Sequence, residues 1–390
     1  MPNRATVLMM TYVLRNLPTA KHHAWVCSSG TRGYCAVKEM LQNGKPGHTL
    51  LLESGDLRDV DASSEDCCLL VYCFTDEYSS TYSDHIPSTV SHVAVYANID
   101  SAPRAFLQQC TGLTTLNLSP LSHVTLVRRF FLAGCTRLTT LDLSPFSQVT
   151  EVRRFFLAGC TSLTTLDLSP LSKVRKVGEG FLEGCTGLTA LDLSPFSQVT
   201  CAEVSFLEGC TGLTTLDLSA LSQVTCVRGS FLAGCAGLTA LDLSPLSQVA
   251  WVQGSFLARC TGLTALDLSP LSQVTDVQEG FLSGCTGLTT LDLSALSELI
   301  WVRGAFLLGC TGLTTLDLSP LSQVTEVHWS FLAGCTGLTA LDLSPLSQVT
   351  KIEGGFLEGC TGINTVVNPH PLCDTPPCGW SRVGRQWVRD

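Results

Sequence analysis

The sequence has 390 residues, 45% of them hydrophobic and 14% charged, so it could hold two or three ordinary domains with a buried core. Its 33 acidic residues outnumber the 23 basic ones and give a net charge of −10, which argues against nucleic acid or an anionic membrane surface as a partner. No run approaches the roughly 20 apolar residues of a membrane-spanning helix, so no span is predicted.

The first residues of the chain resemble a signal peptide only in part. Arg4 and the apolar run 5–14 imitate its charged and hydrophobic regions. Arg15 interrupts the run, and no clear cleavage site follows. Secretion is therefore a minor alternative at this point.

Residues 1–98 are not repetitive and are predicted to form a small mixed α/β cap whose order stays open. A helix is predicted near residues 34–42. The apolar runs 49–53 and 67–74 read as strands because they are short, rich in aliphatic residues and bounded by polar segments.

A short repeat, each unit of which we call a coil, occupies residues 99–366. Within each coil the pattern L-x-x-L-x-L recurs, as at Leu213, Leu216 and Leu218. One coil cannot bury these side chains alone, so successive coils must stack to shelter them. The repeat is marked by a ladder of cysteines at a strict spacing of 25: Cys110, Cys135, Cys160, Cys185, Cys210, Cys235, Cys260, Cys285, Cys310, Cys335 and Cys360.

Each coil is predicted to contribute one strand to a long parallel sheet. The segment LTTLDL alternates apolar and polar residues, which is the period of a strand. Ser-Pro or Ser-Ala then ends the strand, because proline lacks the N–H group that a ladder needs. Valine, glycine and serine in the next segment, as in VTCVRGS (224–230), disfavour helix and predict short extended segments and tight turns.

The repeat resembles a known class of leucine-rich repeats. The stretch VTCVRGSFLAGCAGL (224–238) resembles the V-x-x-I-G-x-x-A-F-x-x-C-x-x-L pattern of BspA-like, or Treponema pallidum type, repeats. This resemblance implies an α/β-type repeat solenoid, curved and capped, of short parallel β-strands with turns and single helical turns. The cysteine-containing repeats of F-box-type adaptors are also similar, but they carry a helix where this chain carries valine, glycine and serine.

Both ends of the repeat are atypical, as unpaired solenoid ends require. The segment 101–110 is a decayed half-repeat that keeps Phe106, Leu107 and Cys110. Residues 367–390 are predicted to form an irregular Pro-rich tail, since four prolines interrupt the chain after the last repeat.

The cysteine ladder is predicted to be structural. Zinc requires close ligand pairs such as C-x-x-C, and the wide spacing of the ladder supplies none. Parallel side chains on neighbouring coils also suit disulfides poorly. Small buried thiols filling a tight corner explain the ladder better, and no metal or cofactor is expected.

Other cysteines leave alternatives open. Cys201 and Cys226 occupy equivalent positions of adjacent coils and are predicted to be exposed, so they could pair or stay free. Cys373 and Cys378 could close a small loop in a secreted protein. Cys67, Cys68 and Cys73 lack zinc spacing and read as strand residues.

A ladder of aspartates is the strongest functional signal. Each aspartate lies between two inward leucines and is predicted to point outward on the concave sheet surface. Taking these nine from the 33 acidic residues leaves 24 against 23 basic ones, so the ladder carries almost the whole net charge. The file is either a solvated face copied by duplication or a groove that binds a Lys/Arg-bearing segment of another protein. Its members are Asp142, Asp167, Asp192, Asp217, Asp242, Asp267, Asp292, Asp317 and Asp342.

Tryptophans on the later coils form a second candidate contact. Trp251 and Trp301 are predicted to anchor a partner or to pack over a neighbouring turn, and the two interpretations stay open. His123 and His328, the histidines of the repeats, occupy variable positions that are predicted to be exposed.

No enzyme signature was found, whether a phosphate loop, H-E-x-x-H or G-x-S-x-G. The sequence predicts a non-enzymatic protein-binding scaffold whose partner carries a basic segment. The BspA-like resemblance implies a microbial surface or host-contact role, and the alternative is an intracellular adaptor of the ubiquitin-ligase type. The compartment stays open, with the cytoplasm favoured because a thiol ladder suits a reducing environment.

Overall fold

The computed structural model describes residues 23–28, 67–74, 92–97, 101–102, 104–118, 121–367, 380–383 and 386–389. The chain divides into two compact units, Met1–Val174 and Arg175–Asp390. The predicted helix at 34–42 and the predicted strand at 49–53 lie outside the described residues.

The first unit joins N-terminal strands to the first coils. β1 runs antiparallel to β2, and β2, β3 and β5 are parallel, so the non-repetitive strands continue the sheet of the first leucine motif. The strand predicted at 67–74 is confirmed, and it contains the three cysteines assigned to it. The strands of this unit are β1 (His23–Ser28), β2 (Cys67–Phe74), β3 (His92–Ala97), β4 (Ser101–Ala102), β5 (Thr115–Asn117), β6 (Leu126–Val127) and β7 (Glu151–Val152).

The second unit contains most of the repeats. Strands β9 to β12 form one parallel sheet, and β13, β14 and β16 form another. Its strands are β8 (Lys176–Val177), β9 (Cys201–Ala202), β10 (Cys226–Val227), β11 (Trp251–Val252), β12 (Asp276–Val277), β13 (Trp301–Val302), β14 (Glu326–Val327), β15 (Ala340–Asp342), β16 (Lys351–Ile352), β17 (Thr365–Val367), β18 (Trp380–Val383) and β19 (Gln386–Arg389).

Helical structure in the described residues consists of short 3-10 turns, at the Ser-Pro or Ser-Ala step where the sequence predicts the strand to end. Proline stands in the first turn wherever it is present, because its missing N–H has no partner there. No helix in this part of the chain is long and apolar enough to cross a membrane. The turns span Ser144–Phe146 and Ser169–Leu171 in the first unit, and Ser194–Phe196, Ser219–Leu221, Ser244–Leu246, Ser269–Leu271, Ser294–Leu296, Ser319–Leu321 and Ser344–Gln348 in the second.

The LTTLDL segment is extended, but the continuous ladder predicted for it is wrong. Regular pairing of this segment occurs at β5, β15 and β17, whereas Thr214 N donates a single long bond of 3.3 Å to Thr189 O. Leu218 leaves the extended region at φ −94° and ψ 3° to start the 3-10 turn, so the segment ends at Asp217. The regularly paired strands are instead the two-residue segments that follow that turn.

Tight turns complete each coil, as the composition predicts. Ser230, Leu232 and Gly234 have φ values of +59°, +53° and +74°, so left-handed residues alternate along the chain. The N–H groups of Ser230 and Gly234 donate to the following coil at 2.7 and 2.6 Å, and that of Leu232 donates to Phe206 O of the preceding coil at 3.0 Å. Because left-handed residues alternate along the chain, their N–H groups donate in turn to the following and to the preceding coil.

Phenylalanines form a continuous stack inside the second unit. Neighbouring rings from Phe181 to Phe356 lie 5.5–5.9 Å apart between centroids, with interplanar angles of 8–17°. In the first unit Phe131 stacks on Phe106 at 5.2 Å and on Phe156 at 5.8 Å. Each ring covers its neighbour, which is the sheltering that a single coil cannot supply.

The C-terminal tail corrects a prediction. Residues 380–383 and 386–389 form β18 and β19, whereas the whole range 367–390 was expected to be irregular. β19 runs antiparallel to β17, with Trp387 opposite Val366. All four prolines precede these strands, so none removes an N–H group from them. The added strands cover an edge that would otherwise be unpaired.

Candidate functional site

The nine aspartates lie on the surface, each between buried leucines, as the alternation predicts. In every coil the Oδ1 atom accepts the backbone N–H of the serine two residues later, at 2.8–2.9 Å. The bond satisfies the first N–H group of the 3-10 turn. Each aspartate therefore has a structural role, which sequence reasoning missed although the Asp-x-Ser spacing is its signature.

The same hydrogen bonds favour the charged form of four of these carboxylates. The Ser244, Ser294 and Ser319 side chains and N–H groups lower the pKa of Asp242, Asp292 and Asp317. In the first unit, Ser169 lowers the pKa of Asp167 in the same way. These four groups are ionised at neutral pH.

Four aspartates of the second unit come together in an open groove of about 800 Å³. Asp217, Asp242, Asp267 and Asp292 line it in a file, together with the leucine and the threonine or alanine that precede each of them. The leucines are nearly buried and form an apolar floor. The groove therefore combines a narrow apolar strip with a row of negative charge.

The tryptophans lie apart from this groove. Trp251 and Trp301 begin β11 and β13 and are 39% and 41% exposed. The Arg303 guanidinium lies over the Trp301 ring at 5.6 Å. Neither tryptophan lines the groove, so the candidate partner-binding residues occupy two places, and their binding role stays a prediction.

The cysteine ladder is buried, as predicted. Each thiol whose bond is resolved donates to a backbone carbonyl 28 residues earlier, as Cys260 does to Leu232 O at 3.1 Å. Burial raises the pKa of Cys260 to about 12 and that of Cys285 to about 11. These thiols are protonated and enclosed, which fits a packing role.

Three residues differ from their predicted exposure. Cys201 and Cys226, expected on the surface, are half-buried. His328 is also half-buried, and its Nδ1 lies 3.3 Å from Glu353 Oε2. His123 is exposed as predicted. Cys373 and Cys378 lie outside the described residues.

A second, polar cavity of about 540 Å³ was not predicted from the sequence. Arg303, His328, Trp329 and Glu279 line it together with glycines and glutamines of the same repeat positions. The signal was the repeat position directly after the strand valine, which holds Gln253, Gln278, Arg303 and His328 in successive coils. Among the described residues no cluster of three or more histidine, cysteine or acidic side chains could hold a metal ion.

Repeated coils with short parallel strands, 3-10 turns and a buried leucine, phenylalanine and cysteine core define a leucine-rich repeat protein. The family model described as BspA type leucine-rich repeat region (6 copies) matches residues 100–239, 196–306 and 252–373. The chain belongs to this family, as its repeat pattern predicts. Proteins of the leucine-rich repeat class are typically non-enzymatic binding scaffolds, and some are surface proteins.

Solved structures of bacterial leucine-rich repeat proteins are similar in fold. One from Bacteroides ovatus is 16% identical, with a TM-score of 0.45, over 71% of this chain and 86% of that one. The functional domain of InlJ from Listeria monocytogenes, which includes a cysteine ladder, is 22% identical, with a TM-score of 0.41, over 72% and 59%. The T. pallidum leucine-rich repeat protein is 16% identical, with a TM-score of 0.34, over 45% and 85%. No curated protein sequence matches the chain.

Proposed function

We propose that the second unit binds a lysine- or arginine-bearing segment of another protein in the groove lined by Asp217, Asp242, Asp267 and Asp292. The observation that carries the proposal is the convergence of these carboxylates on one open groove with an apolar floor. A basic segment complements both features, because its charged ends meet the carboxylates while its methylene groups cover the leucines.

The negative charges of the groove support the binding of a cationic partner and also its steering towards the groove. Each exposed ion pair contributes only about 0.5 kcal/mol, so several must act together to give measurable affinity. A file of like charges also concentrates a cationic partner near the groove and raises its rate of association at low salt. The scaffold needs no catalytic residue for this role.

We propose a microbial surface or host-contact role for the scaffold, on the basis of its family. An intracellular adaptor is the alternative, which the free thiols of the described cysteines favour because disulfides are rare in reducing compartments. Fractionation of the source cells with an antibody to the chain separates the two: recovery at the cell surface supports the first, and recovery with the cytosol supports the second.

The groove is tested by neutralising three of its carboxylates. Asp217→Asn, Asp242→Asn and Asp267→Asn together keep an oxygen acceptor for each serine N–H but remove three charges. We expect the affinity for a fluorescent oligolysine peptide at low salt to fall about tenfold, from three contacts of about 0.5 kcal/mol each. Its dependence on salt should become weaker as well.

A variant of equal charge provides the control. Glu183→Gln, Glu208→Gln and Glu279→Gln remove three carboxylates that do not line the groove. This variant should bind the peptide nearly as well as the unchanged protein. If the two triple variants lose the same affinity, binding reflects net charge alone and the groove is not the site.

A further inference from the structure

Cys201 and Cys226 lie beside each other on neighbouring strands, and unlike the ladder cysteines they are only half-buried. The two residues begin β9 and β10 and are Cα partners in parallel register. Both are half-buried and neither is in a disulfide, whereas the ladder cysteines are buried. They are therefore the two described thiols that combine adjacency with access from solvent.

A positively charged side chain lies near this pair. Both Cys226 and Arg228 influence the pKa of Cys201, so they lie close to its thiol. The Arg228 Nε also lies 3.1 Å from Glu203 Oε2, which holds the guanidinium in place. Lys176 occupies the same repeat position one coil earlier, and so adds a second positive charge near this end of the pair.

Geometry favours a bridged ion over a disulfide. A disulfide needs Cβ atoms about 3.8 Å apart. Registered residues on parallel strands lie about 4.8 Å apart with side chains pointing the same way. A zinc–sulfur bond is about 2.3 Å long, so two metal–sulfur bonds of similar length placed in line span about 4.6 Å between sulfurs. The strand spacing therefore matches a linear sulfur–metal–sulfur bridge without movement of the backbone.

We propose that Cys201 and Cys226 form a two-thiolate site for a soft monovalent metal ion, Cu(I). Thiolate ligands favour Cu(I) and zinc over harder first-row ions, and a linear pair of ligands suffices for Cu(I). Zinc needs about four ligands, and no third histidine, cysteine or acidic ligand completes such a set among the described residues. Each thiol releases one proton, the ion keeps its oxidation state, and the bridge carries a charge of −1 beside the ion pair of Arg228 and Glu203.

The aromatic neighbour supplies a signal for binding. Val227 pairs with Val252, which places Trp251 at the same strand position as Cys226 on the next coil. A bound cation beside this indole should quench its fluorescence. Burial and the neighbouring Cys226 thiol raise the pKa of Cys201 to about 12, so the ion must displace a proton from it. The apparent affinity should rise about a hundredfold per pH unit near neutral pH, since two protons leave.

The test is a Cu(I) titration of the full, reduced chain under argon in competition with bathocuproine disulfonate, read by its absorbance. The unchanged protein should bind one equivalent more than the Cys201→Ser/Cys226→Ser variant. Each single variant should lose the same equivalent, because one thiolate cannot bridge. Leucine, glutamate, lysine and tryptophan occupy this position in other coils, so serine should not disturb the fold.

Two controls separate this site from other thiols. Cys373→Ser/Cys378→Ser removes another close pair and should retain the equivalent, and Trp251→Phe should retain it while losing the fluorescence change. Equal stoichiometry in the unchanged protein and the Cys201→Ser/Cys226→Ser variant would overturn the proposal. So would a single variant that keeps the equivalent, or air oxidation that readily links residues 201 and 226 as a disulfide.

Discussion

At the scale of single residues, each aspartate of the ladder has two separate functions. Its Oδ1 atom accepts the serine N–H that opens the 3-10 turn, and its charge faces the solvent or the groove. Asparagine keeps the first function and removes the second. The repetition of Asp-x-Ser in every coil is therefore explained by backbone chemistry alone, and the partner proposal depends on the groove.

The hydrogen bonds to aspartate predict a dependence of stability on acid. Because the folded pKa of Asp242, Asp292 and Asp317 lies below the ordinary value of 3.8, their stabilising contribution is complete above about pH 4 to 5. It is lost as the pH falls through the folded pKa values. We expect the urea midpoint of the unchanged protein to decrease steeply between about pH 4 and 3.

The variant Asp242→Asn/Asp292→Asn/Asp317→Asn provides the comparison. It should unfold at a similar urea concentration at pH 7 but lose less stability on acidification, as followed by circular dichroism. Parallel pH profiles for the two proteins would show that these carboxyls do not titrate differently in the folded and unfolded states.

At the scale of the element, the left-handed turn explains why glycine precedes nine of the eleven ladder cysteines. Gly234 has φ +74°, a region where residues with a Cβ atom cost about 1–2 kcal/mol. Arg259 occupies the same repeat position at φ +59°, with its N–H donating to Ser283 O at 2.6 Å. The neighbouring coils hold this arginine in a conformation that it would not adopt alone.

Replacing Arg259 with glycine should therefore stabilise the protein by about 1 kcal/mol, as measured by urea unfolding. The gain is partly offset because glycine has more freedom in the unfolded chain. The reverse change, Gly234→Ala, should destabilise it by a similar amount. If both substitutions changed the stability in the same direction, backbone conformation would not decide stability at this position.

Local patterns predicted some elements better than others. The strand at 67–74, the break at Ser-Pro and the tight turns follow from short-range chemistry, and all are present. The ladder through LTTLDL and the irregular tail were wrong, because hydrogen bonding depends on the neighbouring coil. Leu218 leaves the strand early for the 3-10 turn, and β19 finds its partner in β17.

At the scale of the whole molecule, the coils within each unit contact mainly their immediate neighbours. Phe256 stacks on Phe231 and Phe281 at 5.8 and 5.7 Å, and the same contact repeats along the second unit. Stability in such an array is approximately a sum over coils and the interfaces between them. The strict period of the sequence predicts this stack. It does not predict the groove, because the groove depends on how the side chains of four coils line up.

A deletion in register tests this additivity. Removing residues 261–285 joins Cys260 to Thr286 and restores the repeat pattern. The shortened chain should keep its β-type circular dichroism and cooperative unfolding, with a somewhat lower urea midpoint, because one coil and one interface are lost.

Removing residues 261–272, roughly half a coil, provides the comparison. It should be far more disruptive although fewer residues are lost, since the leucines and phenylalanines of the following coils are displaced from their columns. Equal tolerance of both deletions would contradict the stacked arrangement.

The near identity of the coils also has a kinetic cost. The ring of Phe231 fits that of Phe256, but during folding it meets an equally good surface on Phe281, one copy further along. Skipping a copy expels one whole coil as a loop, and the entropy of closing a loop grows only slowly with its length. The correct stacking is therefore distinguished from one that skips a coil only by the few repeat positions at which the coils differ in sequence.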